Sequence, residues 1–313
     1  MKAITRKVGT MSQNRRITLN TLIQIAGRII GMLVMLITTN YLTNHLIVDG
    51  SAKVGYGQYS IIFAYVSIIG VAADFGLFTL LVRESSTRAK GEVEKLLGSA
   101  FGFRLLLMLL VLAAVAVLIL VLPYDPVVKV GLLWGVLVAF MLLFTQTVAA
   151  ALQANHRPDL IVLAEIVGRL VLLAAVIAVL RMDLGVVAVV MAHVFGYGVS
   201  FVLTYLFARR YSRIPIQFDV ATWREILPQF LPIAAVTVLS LVHFKIDSII
   251  LSFYRPESEV ATYTLAFKIL EIIIIVPSIL AMNVMPLMAR LYQEGDRKAF
   301  AQLLRRATSL LVT

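Results

Sequence analysis

Long apolar stretches closed by basic residues set the rhythm of the chain. Gly57 to Glu84, GQYSIIFAYVSIIGVAADFGLFTLLVRE, is broken by a single carboxylate, Asp74, and closed by Arg83. At 1.5 Å rise per residue, its ~26 apolar residues reach across a bilayer with some tilt. Thr262 to Arg290 repeats the design, with Tyr263 where the first stretch has Tyr59, charges at Lys268 and Glu271, and a basic exit at Arg290. Each stretch follows another apolar span, Ile17 to Thr43 and Phe230 to Tyr254. A paired hairpin recurring after roughly 200 residues points to two homologous halves, an arrangement that in transporters commonly sets the substrate site between them.

Counting spans of about 20 or more apolar residues predicts eight transmembrane helices and the start of a ninth. They fall near 17–44, 57–83, 97–122, 127–152, 159–180, 184–208, 229–254 and 260–289, with a remnant from 303. Breakers stand between them: Pro123 and Pro126, Arg157-Pro158 and Arg255-Pro256. Two connections, 84–97 and 219–227, mix charged and apolar residues, the latter around Trp223, as short helices in the headgroup layer do, with a solvated linker as the alternative, above all for 84–97. The chain stops at LLRRATSLLVT, too soon to complete another crossing, so we expect a truncated second half.

Charge adds orientation. One set of connections carries Arg15, Arg16, Arg83, Arg88, Lys90, Lys95, Arg157, Arg209, Arg210, Arg213 and Arg224 among others; the opposite set holds only Lys53, Lys129, Arg181 and Arg255. The positive-inside rule then predicts a cytoplasmic N-terminus in a multi-pass protein of the cytoplasmic membrane. Composition agrees. The hydrophobic fraction is 60%, charged residues make up 14%, and mean hydropathy is +0.94, outside the range of soluble globular proteins. The net charge of +11 does not imply nucleic acid, because the basic residues sit between apolar spans. The absence of cysteine excludes disulfides and thiolate sites.

Charges inside apolar spans are the candidate functional residues, each costing about 2.5–3.5 kcal/mol at a helix centre. They are Arg28, Asp74, Glu165, Arg169, Lys245, Asp247, Lys268 and Glu271. Arg104 lies within two turns of the predicted start of its span and is expected to snorkel to the headgroups. Arg28 and Asp74 come out about 18 and 13 Å from their basic helix ends and are expected to meet across the first hairpin. Asp247 and Lys268, about 10 and 13 Å from the opposite ends, form a second candidate pair, and Glu165 and Arg169 share one helix face. Such pairs can be fasteners between helices. Alternatively, Arg28, Lys245 and Lys268 face one cavity suited to an anion such as pyrophosphate, with Asp74, Glu271, Asp247, Glu165 and Arg169 balancing charge or binding a coupling cation. The four histidines, His45, His156, His193 and His243, show no metal-ligand spacing and read as loop or packing residues. No P-loop is present, and glycines such as Gly55, Gly57, Gly196 and Gly198 read as helix-packing positions.

NTLIQIAGRIIGMLVMLITTNYL and VGYGQYSIIFAYVSIIGVAADFGLFTLLVRESS resemble the opening of polysaccharide-export flippases, the Wzx-type branch of the multidrug/oligosaccharidyl-lipid/polysaccharide exporter superfamily. LPIAAVTVLSLVHFKIDSIILSFY and ATYTLAFKILEIIIIVPSILAMNVMPLMARL resemble the seventh and eighth helices of that family, including a basic-x-Asp element at Lys245-Ile246-Asp247. The resemblance implies an all-α two-lobe bundle, with a six-helix lobe over 1–210, a linker at 211–228 and an incomplete second lobe over 229–313. It also implies transport rather than catalysis: an undecaprenyl-pyrophosphate-linked oligosaccharide would cross by alternating access, without a bound cofactor and driven by a Na+ or H+ gradient or the membrane potential. Partners implied are the lipid-linked glycan, the bilayer and polysaccharide assembly machinery. A lipid II flippase, a cation-coupled drug exporter, and a membrane glycosyltransferase or polymerase remain the alternatives.

Overall fold

The computed structural model describes residues 2–225 apart from 75, 87 and 156, together with 228, 239, 246–271, 273, 288, 291 and 296–312. These are helical almost throughout: α1 (Lys2–His45), α2 (Ala52–Asp74), α3 (Leu77–Ser85), α4 (Lys90–Val121), α5 (Pro126–Ala154), α6 (Pro158–Arg181) and α7 (Gly185–Ala208). Helical stretches follow at 246–254, at 257–271 and at Arg297–Val312. Among the described residues, six spans are long and apolar enough to cross a membrane, matching the first six expected. Most of the seventh span, and the eighth beyond 271, lie outside the described residues. The chain divides into two compact units, Met1–Ala261 and Thr262–Thr313.

Local chemistry ends the helices where the breakers predicted. Pro126 and Pro158 stand in the first turns of α5 and α6, where the missing N–H costs nothing. Between α1 and α2 the chain reverses at Asp49-Gly50, both in the left-handed region (φ 50° and 72°), with Val48 and Ser51 exchanging backbone hydrogen bonds. That is the Asp-Gly chemistry of a mirror-image tight turn.

Two expectations are corrected, and the first helix is longer than its apolar span. The stretch 57–83 is not one helix: α2 ends at Asp74 and α3 restarts at Leu77, with Gly76 at φ 73°, a conformation glycine adopts without steric cost. Residues 84–97 are not a separate headgroup helix, because 90–97 form the first turns of α4 itself. The N-terminal basic stretch is helical and continuous with the first span, with no proline between Lys2 and His45 to interrupt it.

Small residues set the helix packing, as expected in a membrane, where close backbone approach replaces the hydrophobic effect. Ile62 and Val66 of α2 lie over Gly131 and Gly135 of α5, where a methyl on Gly135 would stand 2.7 Å from Val66. Gly168 of α6 and Gly196 of α7 face each other's backbone, and Gly27 and Gly31 of α1 lie against Val162 and Arg169 of α6. Gly55 and Gly57 are packing positions too; Gly198 has open space around it. At the basic end Leu77, Leu81, Leu96, Leu97, Ala151 and Ala208 form one buried cluster.

After α7 the chain runs without regular secondary structure over 212–219 and crosses α4 before turning into a helical stretch at 220–225. Gln217 N–H donates to Gly98 O (3.2 Å), the Trp223 indole to Ser99 O (2.9 Å), and Lys95 pairs with Asp219 (2.7 Å). A Cβ on Gly98 or Gly102 would strike the carbonyl oxygen of Pro215 or Gln217, so the two glycines make the seat of this strap.

Candidate functional site

The first charged constellation sits at the α2–α3 break. Asp74 accepts from Arg104 Nη2 at 2.5 Å. Arg104 is wholly buried, and its Nη1 also donates to Thr147 Oγ1 (2.5 Å) and to Leu143 O on α5. This overturns two expectations: Asp74 is partnered by Arg104 rather than Arg28, and Arg104 does not snorkel. The reason is the inward turn of that side chain: its guanidinium is taken up by Asp74 on α2 and by Thr147 and Leu143 O on α5 instead of by headgroups.

The second constellation gathers side chains from α1, α2, α6 and α7. Glu165 lies in the field of both Arg169 and Arg28, and Tyr197 in that of Arg169 and Glu165. Arg169 does not close onto Glu165; it donates to Gly31 O at 2.9 Å, because the bare Gly31 backbone admits a guanidinium against α1. Arg28 and Glu165 are exposed at the protein surface, and no hydrogen bond or ion pair among the described residues engages Arg28.

Beside them His193 is buried against Tyr59, Phe63 and Tyr197. Its Nδ1 lies 2.9 Å from Val189 O, which can only accept, so Nδ1 carries the proton. Nε2 shares a hydrogen bond with the Tyr59 hydroxyl at 3.2 Å. His193 is thus a packing histidine, as its spacing predicted, but one that fixes a tyrosine beside the charged cluster. Sequence reasoning missed this group. Its trace was two i, i+4 aromatic pairs, Tyr59 with Phe63 and His193 with Tyr197.

At the end away from the basic loops, a hydroxyl chain joins α2 to helix 246–254. Ser252 donates to Ile249 O (2.7 Å), so Tyr124 donates to Ser252 (2.6 Å) and Tyr65 to Tyr124 (3.3 Å). Tyr124 stacks on Phe253, and Gly57 meets the backbone of Glu257.

Of the remaining candidates, Lys245 lies outside the described residues. Asp247 accepts from the Ser248 N–H at 2.9 Å. Lys268 and Glu271 are three residues apart on helix 257–271, hence on one face, within the unit that begins at Thr262.

Apolar spans packed through glycine, with ion pairs and a polar-aromatic cluster held inside them, define an all-helical multi-pass membrane protein. A family model described as polysaccharide biosynthesis protein matches residues 14–292, and the chain belongs to that family. Among solved structures, the lipid II flippase MurJ in an inward closed conformation shares its fold, with a TM-score of 0.57 at 16% identity. That match covers 92% of this chain and 61% of the other, so the chain spans about three fifths of that structure's length. No curated protein matches the chain.

Proposed function

We propose that this chain carries the translocation machinery of a flippase for undecaprenyl-pyrophosphate-linked oligosaccharide, moving it from the cytoplasmic to the outer leaflet by alternating access. The observation that supports this reading is Arg28, a guanidinium in a membrane-spanning helix that no hydrogen bond or ion pair among the described residues engages. A cation in that position is costly unless an anion visits it, and its planar fork suits a pyrophosphate. The isoprenoid tail stays in lipid. Lys245 and Lys268 add positive charge on the later helices. Asp74, Asp247, Glu165 and Glu271 balance it or couple the cycle to a Na+ or H+ gradient or the membrane potential.

A second reading, lipid II as the substrate, is favoured by the fold shared with the lipid II flippase. Both substrates carry the same pyrophosphate, so the glycan decides between them. The test is reconstitution of the full chain in liposomes with fluorescent undecaprenyl-pyrophosphate glycans, one set bearing lipid II's headgroup and one bearing other oligosaccharides. Faster flipping of the second set, lost in Arg28→Ala and partly kept in Arg28→Lys, is the expected result. Flipping of lipid II alone selects the second reading, and wild-type flipping by Arg28→Ala refutes the pyrophosphate site.

A further inference from the structure

The strap that follows α7 presents an apolar row to the outside. Ser212, Ile214 and Thr222 are buried, whereas Ile216 (56% exposed), Phe218 (61%) and Val220 (53%) are exposed, the Phe218 ring standing edge-on to Trp223. The seat of this strap, Gly98 and Gly102, lies at the start of the most outward-facing of the six spans: α4 goes on to expose Leu106, Leu109 and Leu110. Those leucines face lipid in a membrane-spanning helix, so the row is continuous with a lipid-facing surface.

Charge settles which surface. Arg209, Arg210 and Arg213 precede the row and Arg224 follows it; all four side chains are exposed, and no ion pair among the described residues engages them. The carboxylates of the segment are already committed, Asp219 to Lys95 and Glu225 to Arg88. Unspent guanidiniums flanking an apolar row match a leaflet whose headgroups are anionic.

We propose that the strap is an anionic-lipid anchor, with Ile216, Phe218 and Val220 inserted at the headgroup–acyl boundary and Arg209, Arg210 and Arg213 gripping lipid phosphates. The anchor and α4 move as one piece, because the strap is zipped to that helix through Gly98, Ser99 and Lys95.

The chain lacks cysteine, so single cysteines at 216, 218 and 220 accept a bimane label cleanly. The control is Gly91→Cys, on the same helix as Gly98 but about 10 Å further toward water. In nanodiscs of phosphatidylcholine with phosphatidylglycerol, shallow doxyl lipid should quench the three labels at least about twofold more than the control. Omitting phosphatidylglycerol, or changing Arg209, Arg210 and Arg213 to Gln in the labelled Phe218→Cys chain, should weaken that quenching. An unchanged Trp223 emission in that variant checks that the strap is still seated. Quenching by aqueous iodide in place of doxyl lipid overturns the proposal. So does cross-linking between copies through Phe218→Cys, which would give the row to a second chain. Quenching indifferent to phosphatidylglycerol and to the arginine changes overturns the anionic grip.

Discussion

The Asp74–Arg104 pair allows the sharpest test of the fold, because its two partners are buried to different depths. Replacing Asp74 by Asn strands a wholly buried guanidinium among neutral acceptors, and breaking a buried pair from one side costs about 3–5 kcal/mol. Replacing Arg104 by Met does less harm. Asp74 keeps 22% of its side chain exposed and can hydrate, while Thr147 still donates to Leu143 O at 3.1 Å, so no buried carbonyl is orphaned. That loss should be about 1–3 kcal/mol. In the double variant neither charge is left behind, and a coupling energy near the top of the usual range, roughly 2–3 kcal/mol, should be recovered. Unfolding of the chain in mixed micelles titrated with SDS measures all four corners of the cycle. The reasoning fails if Arg104→Met proves costlier than Asp74→Asn, or if the coupling falls below about 0.5 kcal/mol.

Three further outcomes follow from the same contacts. Tyr124→Phe removes two hydroxyl hydrogen bonds but keeps the stack on Phe253, and should lower stability by about 1–2 kcal/mol in the same titration. Gly98→Ala should unseat the strap, since its methyl meets the Pro215 carbonyl rather than a flexible side chain; trypsin cleavage at Arg213 should quicken while cleavage near Lys53 does not change. Lys95 and the Thr222 hydroxyl and N–H hold the Asp219 carboxyl down from 3.8 to about 2. Because the folded value is the lower one, this carboxylate stabilises the strap above about pH 4 and the contribution is lost as pH falls toward 2. Pepsin cleavage around Phe218 should therefore rise between pH 4 and pH 2 in the native chain and be nearly flat in Asp219→Asn.

The candidate residues show where reading a chain stops being enough. Helical spacing could say that Glu165 and Arg169 share a face, but not that an unobstructed Gly31 carbonyl on another helix would take the guanidinium. Tyr59 and His193 are 134 residues apart, and neither carries a mark of the other. Arg104 turns inward to Asp74 on α2 and Thr147 on α5, partners that no spacing within its own helix reveals.

The spans, by contrast, were legible without any neighbour. In lipid each helix must satisfy its own backbone hydrogen bonds, so apolar length and the breakers at Pro123, Pro126 and Pro158 suffice to place α5 to α7, and the C-terminal ends of α1 and α4, to within a few residues. The exceptions are the early starts of α1 at Lys2 and α4 at Lys90, where the helix runs on beyond the apolar span, and the α2–α3 break at Gly76. There a buried ion pair stands at the interruption, and α3 is held by the leucine cluster of the basic end. The partner of each intramembrane charge was likewise decided only by tertiary structure. Which face of a helix turns toward which neighbour depends on close approaches such as Gly168 to Gly196 and Gly135 to Val66, and the rotation they impose is not encoded in any one span.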